Sequence, residues 1–490
     1  MALVRIRCLS HLNAINKRKV TLATAKQIVV ADNFDNERMS NLSSEMINIY
    51  DFSISNMTSG YKNAPYSWTE TFEVELPEYE QIITKIVHDF KPFYEKLHAY
   101  VRHKLTKKYP YMEGHDKIPS HLIRNLWGQN WDHLMDDVQP YPGFRVDLNP
   151  KLKEKFGTNF TKMVRLADKY YQSIGFPELP KSFFEKSIFV ESDAVNRKPD
   201  CHGTAHALHV PRSDVRVEMC GKVDSDSLFT IHHEMGHIHY YMQYANQTNI
   251  FYQGASPAFH EAVGDTIALL ATTGLDHLIN IGLLDTPKSE EDRAANLNKT
   301  WSDYREKMMI NQLMLSALDK IPLVLFSFII DKWTFDFYRD EIKHEELNKH
   351  WWDLVHEYQG LTTPDFETRG EEYFDIGAKY HVAHLRYLYT RYQIARVHQF
   401  QFLDSICRHV DQTGRDMKKC NIDGKPESTK AFRDMLKKGQ SVHWKQQLSE
   451  LTGDHVNSKL ALQYYAPLER WLDNYLEEHD VKVGWDKDGD

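Results

Sequence analysis

Residues 230–243 read TIHHEMGHIHYYMQ and contain the motif on which the interpretation of this chain depends. His233 and His237 are four residues apart, so a helix would place both imidazoles on one face, one turn apart. That spacing lets two histidines bind one Zn²⁺ at roughly 2.0–2.1 Å. Glu234 follows the first histidine and is placed to take a proton from a water molecule beside the metal. The stretch therefore predicts a catalytic zinc site on a helix.

A second motif supplies the ligand that the first one lacks. A catalytic zinc ion needs three protein ligands and one open position. Residues 259–265 read FHEAVGD, in which Glu261 and Asp265 share one helical face. We expect Glu261 to be the third ligand and Asp265 to accept the other N–H of a ligand histidine. Two surface carboxylates are the alternative, but the pair lies downstream of the first motif on a helix rich in Ala and Leu, which favours a buried site.

Other histidines near these motifs are not predicted to bind metal. His202 and His206 also have a four-residue spacing, but their segment resembles a strand, in which that spacing does not bring two side chains together. His232 and His239 point away from the face that carries His233, and we interpret both as structural. One zinc ion per chain is therefore expected.

The composition restricts the class of protein. The chain has 490 residues, of which 41% are hydrophobic and 26% charged, ordinary values for a globular protein that exclude a disordered one. A net charge of −9 without a basic block argues against a nucleic-acid partner. The longest nearly apolar run, residues 321–330, is too short to span a bilayer and predicts a buried helical segment. No transmembrane segment is expected.

Hydrophobic periodicity predicts a mainly α fold. From residue 77 to about 108, apolar residues recur at helical spacing, with a kink expected at Pro92. Residues 121–138 and 160–175 are also predicted to be helices. The β-branched alternation within residues 187–220 predicts a small antiparallel strand element near the zinc site. Because no linker rich in Pro, Gly or Ser divides the chain, we expect one large helical body, with two lobes around a deep central cleft.

The cysteines and glycosylation motifs favour an oxidising compartment. Four of the five cysteines form two pairs that are close in sequence, and we expect both pairs to be disulfides. These pairs are Cys201 with Cys220 and Cys407 with Cys420, which leaves Cys8 free. Asn-x-Ser/Thr motifs begin at Asn41, Asn56, Asn159, Asn246 and Asn298. Reduced cysteines and chance motifs are the alternative, and the N-terminal 20 residues lack the apolar core of a signal peptide.

Together, the two motifs resemble the angiotensin-converting enzyme (peptidyl-dipeptidase A) family of zinc metallopeptidases. The resemblance covers about residues 60–487, because further segments look like signatures of this family and follow in its order. They include LWGQNW at 126–131, CH at 201–202, ALDKI at 317–321, WW at 351–352, YQG at 358–360, GAKYH at 377–381, YTRY at 389–392 and QFQF at 399–402. The resemblance implies a single-domain member of invertebrate type, with a shortened N-terminal segment at 1–59 and a catalytic domain at 60–490.

The resemblance agrees with the zinc ligands and the general base given above, and it implies further residues of the active site. His381 would stabilise the tetrahedral intermediate and give a proton to the leaving amine. Tyr392 would donate a hydrogen bond to the developing oxyanion. His202 would contact the backbone of the substrate.

The resemblance also implies a clamp for the terminal carboxylate of the substrate. The clamp consists of Gln129, Lys379 and Tyr389, and one cation with two neutral donors suits a carboxylate. In addition, Arg391 and Trp351 match residues of the family's chloride sites. We therefore expect chloride as a further ligand.

Several positions depart from the family pattern. Residues 1–59 lack most of the N-terminal helices that cover the cleft in the family, so we expect a more open substrate channel. Val355 stands where the family has a chloride-site arginine, and Phe72 stands where it has a tyrosine. Leu323 replaces an aromatic residue of the pocket for the last side chain. Weakened chloride control is the expected consequence.

The sequence therefore predicts a zinc dipeptidyl carboxypeptidase that releases dipeptides from oligopeptides with a free C-terminus. Two alternatives remain open: an endo- or aminopeptidase with the same ligands, and a truncated, catalytically impaired homologue that binds peptides. The carboxylate clamp argues against the first alternative, and Glu234 argues against the second. Family resemblance, glycosylation motifs and cysteine pairs imply an extracellular protein.

Overall fold

The computed structural model describes residues 64–125, 127–191, 203–208, 214–285, 301–379, 382, 388–410 and 416–486. Most of these residues are helical, which confirms the predicted mainly α fold. The α-helices are α1 Ala64–Trp68, α2 Leu76–Lys108, α3 Ser120–Ile123, α4 Met135–Val138, α5 Asn149–Phe156, α6 Phe160–Ser173, α7 Lys181–Lys186, α8 Ser225–Gln243, α9 Pro257–Thr273, α10 Leu275–Asn280, α11 Trp301–Tyr338, α12 Leu347–Leu354, α13 Thr390–Cys407, α14 Lys430–Leu436, α15 Trp444–Thr452 and α16 Lys459–Glu478.

The core is built around the longest helices, α2 and α11. Helix α2 has 33 residues and continues past Pro92, as the periodicity predicts. Helix α11 has 38 residues and packs against α2 and α13, and its apolar run at 321–330 is largely buried. It is long and apolar enough to span a membrane, with a mean hydropathy of 2.0, but 72% of that window is buried inside the protein. We therefore assign it to the core.

The predicted helix at residues 121–138 is wrong, because this segment is broken in two places. Arg124 and Gly128 both have positive φ angles, of 57° and 60°. Between them, Asn125 accepts hydrogen bonds at its side-chain oxygen from the backbone N–H groups of Trp127 (3.1 Å) and Gln129 (3.3 Å). An Asn side chain that bonds the backbone in this way stabilises a turn in competition with a helix. Regular structure resumes in a 3₁₀-helix, Asp132–Leu134, followed by α4.

A three-stranded sheet lies beside α8, the helix of the predicted zinc-binding motif, as expected. Its strands are β2 Ile188–Glu191, β3 Thr204–Ala207 and β4 Val215–Gly221, in the order β2-β4-β3. Strands β3 and β4 are antiparallel, as predicted, but β2 and β4 are parallel. Parallel pairing is accessible here because β2 and β4 are separated by a connection long enough for a crossover.

Two further connections join distant parts of the chain. Strands β1 Ile118–Pro119 and β5 Leu361–Thr362 form a short parallel pair. A disulfide joins Cys407 to Cys420, as predicted, and closes the loop after α13. Cys220 is also disulfide-bonded, but its predicted partner Cys201 lies outside the described residues.

Candidate active site

Helices α8 and α9 carry the predicted metal ligands, and each begins at a defined cap. Asp224 accepts a hydrogen bond at its side chain from Ser227 N (2.9 Å) at the start of α8. Ser256 accepts one from Phe259 N (3.2 Å) at the start of α9, directly before Pro257. Such caps satisfy backbone donors that have no partner within the helix.

The two helices cross in direct backbone contact at a pair of glycines. A Cβ atom added to Gly236 would lie 2.5 Å from the Cα of Gly264. One added to Gly264 would lie 2.6 Å from the backbone oxygen of His233 and 2.9 Å from its Nδ1. The absence of both side chains therefore brings the histidine face of α8 against the carboxylate face of α9.

This crossing brings the three predicted ligands together. The candidate donor atoms of His233, His237 and Glu261 all lie within 4.8 Å of one another. The Nε2 atoms of His233 and His237 are 3.2 Å apart. Glu261 Oε2 lies 3.5 Å from His233 Nε2 and 3.8 Å from His237 Nε2. Tetrahedral ligands at about 2.0–2.1 Å from zinc are about 3.3–3.4 Å apart. The donor set therefore has the chemistry and nearly the spacing of a zinc site.

Asp265 orients the first histidine from behind. Its Oδ1 lies 3.1 Å from His233 Nδ1, while Arg396 forms an ion pair with its Oδ2. Burial alone would raise the pKa of Asp265, but Arg396 and His233 hold it well below its usual range. An ionised carboxylate only accepts hydrogen bonds, so His233 Nδ1 carries the proton and its Nε2 presents a lone pair to the metal position.

His260 plays the equivalent part for the second histidine. Apart from its place beside Glu261, nothing in the sequence pattern indicates this role. Its Nδ1 lies 3.2 Å from His237 Nδ1, and its Nε2 lies 3.1 Å from the hydroxyl of Tyr244. Burial, and then the neighbouring His237, lower the pKa of His260 well below its usual range. A neutral His260 that donates from Nε2 to Tyr244 accepts from His237 Nδ1, which leaves His237 Nε2 for the metal.

Glu234 lies buried beside these ligands. The side chain approaches Gly203, the residue before β3, where an added Cβ would lie 3.1 Å from Glu234 Oε1. Glycine at this position therefore leaves room for the carboxylate.

The three residues of the predicted clamp come together although they are up to 260 residues apart in the sequence. Lys379 donates a hydrogen bond from Nζ to Gln129 Oε1. The same ammonium group lies 5.5 Å from the ring centre of Tyr389 and 4.6 Å from that of Trp127. Burial lowers the pKa of Lys379 to about 7. A buried cation without a carboxylate partner in this group has a strong electrostatic preference for an anionic ligand.

Trp127 is a member of this group that the sequence did not single out. Its Nε1 is buried and has no hydrogen-bond partner among the described residues. A donor in this position, next to Lys379, suits a carboxylate oxygen.

Helix α13 connects Tyr389, one residue of the predicted clamp, with the surroundings of the predicted metal ligands. At its N-terminus, Asp331 accepts hydrogen bonds from the backbone N–H groups of Tyr389 (2.9 Å) and Thr390 (2.8 Å). The rings of Tyr389 and Tyr392 are 4.9 Å apart. Further along α13, Arg396 reaches Asp265. The helix therefore fixes Tyr389 relative to α9, which carries Asp265 and the predicted ligand Glu261.

The predicted chloride residues Arg391 and Trp351 have different neighbours. Arg391 donates from Nε to the backbone oxygen of Leu388 (3.2 Å), and its charge helps to lower the pKa of Glu261. Trp351 is buried edge-to-face against Phe326, with ring centres 6.2 Å apart. Chloride binding stays a prediction.

The three positions that depart from the family pattern lie in packed surroundings. Val355 and Phe72 are buried in the core, and Leu323 is partly buried against it. The predicted site residues His202 and His381, together with the N-terminal segment 1–59, lie outside the described residues.

Comparison with known proteins gives a consistent result. Residues 38–485 match the family model of the M2 peptidases, described as angiotensin-converting enzyme. This match begins before residue 60, so the boundary placed there stays a prediction.

Individual relatives agree with the family match. The angiotensin-converting enzyme-related protein of Drosophila melanogaster is 35% identical over 437 residues, which cover 87% of this chain and 65% of the relative. The angiotensin-converting enzyme of Haematobia irritans exigua is 36% identical over 422 residues (83% and 65%). That of Bos taurus is 34% identical over 430 residues (87% and 31%). The chain thus spans slightly less than two thirds of the insect relatives and about a third of the bovine one.

Proposed function

Because the chain belongs to the angiotensin-converting enzyme family of metallopeptidases, we propose that it is a zinc-dependent dipeptidyl carboxypeptidase that acts on oligopeptides with a free C-terminus. The observation that carries this proposal is the contact of Lys379 with Gln129 and Tyr389. Metal ligands of this type occur in peptidases of several specificities. A buried cationic clamp distinguishes an enzyme that recognises the end of its substrate.

The donor set suits one zinc ion per chain. Two imidazoles and one carboxylate, from His233, His237 and Glu261, leave a fourth position for water or substrate. Bound zinc would polarise the scissile carbonyl and make a nearby water molecule more acidic.

The protein's own residues would move the protons. Glu234 would take a proton from the attacking water. Tyr392 would donate a hydrogen bond to the oxygen that gains negative charge, and His381 would assist it and give a proton to the leaving amine.

The clamp would define which bond is cut. Two extended residues span about 7 Å. If the clamp holds the terminal carboxylate at about that distance from the scissile carbonyl, the enzyme counts two residues from the C-terminus and releases a dipeptide.

Amidation of the substrate tests this proposal. Without the terminal charge, Lys379 would be left buried and unpaired, and losing one partner of a buried charge pair costs about 2–5 kcal/mol. We expect kcat/KM to fall by about 30-fold or more when the C-terminus is amidated. In the Lys379→Ala variant, the kcat/KM values for the acid and the amide should differ much less. Equal cleavage of acid and amide by the native enzyme would instead indicate an endopeptidase.

A catalytically impaired peptide-binding homologue is the alternative. It would bind the acid more tightly than the amide, as the enzyme does, but would release no dipeptide. Glu234 argues against it, because a binding protein has no use for a general base. Quantifying released dipeptide by mass spectrometry separates the two functions.

Chloride and compartment belong to the same proposal. We expect weak chloride activation that depends on Arg391, with Trp351 as a further site residue. The Arg391→Gln variant should therefore abolish any activation that a chloride titration of the native enzyme detects.

For an extracellular glycoprotein, Asn246 is the better glycan acceptor of the two Asn-x-Ser/Thr motifs among the described residues. It lies exposed in the turn after α8, whereas Asn159 uses its side-chain oxygen to cap α6. Peptide mass mapping after enzymatic deglycosylation measures the occupancy of each.

A further inference from the structure

Gln359 is a fully buried polar residue to which neither the sequence motifs nor the proposed mechanism assigns a role. It ends a one-turn π-helix, Val355–Gln359, that lies between α12 and β5. Such single π turns are uncommon and frequently occur at functional sites. The segment continues into β5, whose pairing with β1 fixes it beside the loop that carries Gln129.

The side chain of Gln359 binds that loop directly. Its Nε2 donates hydrogen bonds to the backbone oxygens of Trp127 (3.1 Å) and Gly128 (3.2 Å), the two residues before Gln129. From the other side, Asn125 accepts hydrogen bonds from the backbone N–H groups of Trp127 and Gln129. The turn is therefore held between two amide side chains.

Gly128 lets the turn approach Gln359 closely. Its φ angle is +60°, and an added Cβ would lie 2.4 Å from Leu361 Cδ1 and 3.3 Å from Gln359 Nε2. Because Gly128 immediately precedes Gln129, a shift of this turn moves the clamp residue.

We propose that Gln359 is a positioning residue that sets the specificity for a free C-terminal carboxylate by holding Gln129 against Lys379. This inference rests on the proposed function, in which both residues grip the carboxylate. Gln359 acts through the backbone oxygens of the turn and does not touch the substrate.

The Gln359→Met variant is the test. Methionine has a similar length and volume but donates no hydrogen bond, so the turn loses both bonds from Gln359. The oxygen of Gly128 keeps a bond from Trp131 Nε1 (3.1 Å), whereas that of Trp127 loses its bond from Gln359. We expect KM for a peptide with a free carboxylate to rise about 10-fold, since small misplacements in a site have effects of this size or larger. The kcat value should change little, and KM for the amidated peptide should stay within about two-fold, because the amide does not use the clamp.

Gln447 provides a matched control elsewhere in the core. It is also fully buried, and its Nε2 donates to two backbone oxygens, those of Gly439 (2.7 Å) and Val442 (2.6 Å). Neither glutamine has a partner for its Oε1 among the described residues. Gln447→Met should reduce stability to a similar extent and leave the ratio of the acid and amide KM values unchanged.

A double-mutant cycle identifies the route of the effect. If Gln359 acts through Gln129, the Gln359→Met change should no longer raise KM for the acid in a Gln129→Ala background. If Gln359→Met does not fold, Gln359→Asn, which keeps an amide in the core but shortens it by one methylene, takes its place.

The outcomes separate this inference from the proposed function. Equal KM values of the native enzyme for acid and amide would overturn the proposed function. If the native enzyme prefers the acid and Gln359→Met keeps that preference, only the role of Gln359 is overturned. The same holds if the preference falls equally in Gln359→Met and Gln447→Met. An unchanged effect of Gln359→Met in the Gln129→Ala background would do the same.

Discussion

At the scale of single residues, Glu234 and Glu261 have the same side chain but different expected tasks. Glu234→Gln keeps the shape of the side chain and removes its ability to accept a proton. We expect kcat to fall by about 10²–10⁴-fold, the usual contribution of a general base, while zinc content and fold stay unchanged. Glu261→Gln should instead reduce zinc content, because it removes a charged ligand. Metal analysis beside a turnover assay checks both, and an active Glu234→Gln enzyme would contradict the mechanism.

Lys379 gives the site an expected dependence on pH. Burial lowers its pKa to about 7, so the charged form that attracts a carboxylate is lost as the pH rises above that value. We therefore expect KM for a free-acid peptide to increase between pH 7 and pH 9, whereas KM for the amidated peptide should show no such increase. A pH profile of both substrates measures this. Identical profiles would mean that Lys379 stays charged or does not bind the carboxylate.

At the scale of helices and turns, the sequence predicts what short-range spacing determines. The four-residue spacing of His233 and His237 suffices to predict a shared helical face. The sequence does not reveal that His260 supports His237, because that contact depends on how α8 and α9 cross.

Long-range contacts limited the prediction of the clamp in the same way. Lys379 and Gln129 are 250 residues apart, and resemblance to a family was needed to place them together. The wrong prediction of a helix at 121–138 has a local cause. It was based on the spacing of apolar residues and took no account of the Asn125 side chain, which stabilises a turn.

Gly264 tests the crossing of the two ligand helices. A methyl group here would clash with the backbone oxygen and Nδ1 of His233, so Gly264→Ala should force α8 and α9 apart. We expect the free energy of unfolding to fall by about 1–3 kcal/mol or more and zinc affinity to fall about 10-fold or more, as when support of a ligand is lost. Ala271→Gly on the same helix is the control, because it costs about 1 kcal/mol without touching the site. Unchanged zinc affinity in Gly264→Ala would show that the close crossing is not required.

At the scale of the whole molecule, the C-terminal segment 481–486 ties together regions that are far apart in sequence. Arg102 on α2 donates to the backbone oxygens of Asp116 (2.6 Å) and Gly484 (2.9 Å). Trp485 donates from Nε1 to the backbone oxygen of His356 (2.8 Å). The segment thus joins α2 to the region that carries Gln359, so the stability of that region is expected to depend on the end of the described chain.

Replacement of Trp485 measures how much the contacts of segment 481–486 contribute to the stability of the protein. Its ring is 9% exposed, lies 4.6 Å from the ring of His98, and packs so closely on Gly360 that an added Cβ there would come within 2.5 Å. Because Trp485→Ala leaves a cavity at this junction, we expect the free energy of unfolding to fall by about 3–5 kcal/mol. Phe251→Ala is the control, since Phe251 is 37% exposed and should lose much less. Denaturant unfolding of the native protein and the two variants gives the comparison. Equal losses of unfolding free energy in both variants would mean that the C-terminal segment covers the core without stabilising it. A loss confined to Trp485→Ala would make this segment part of the folding unit that supports the clamp.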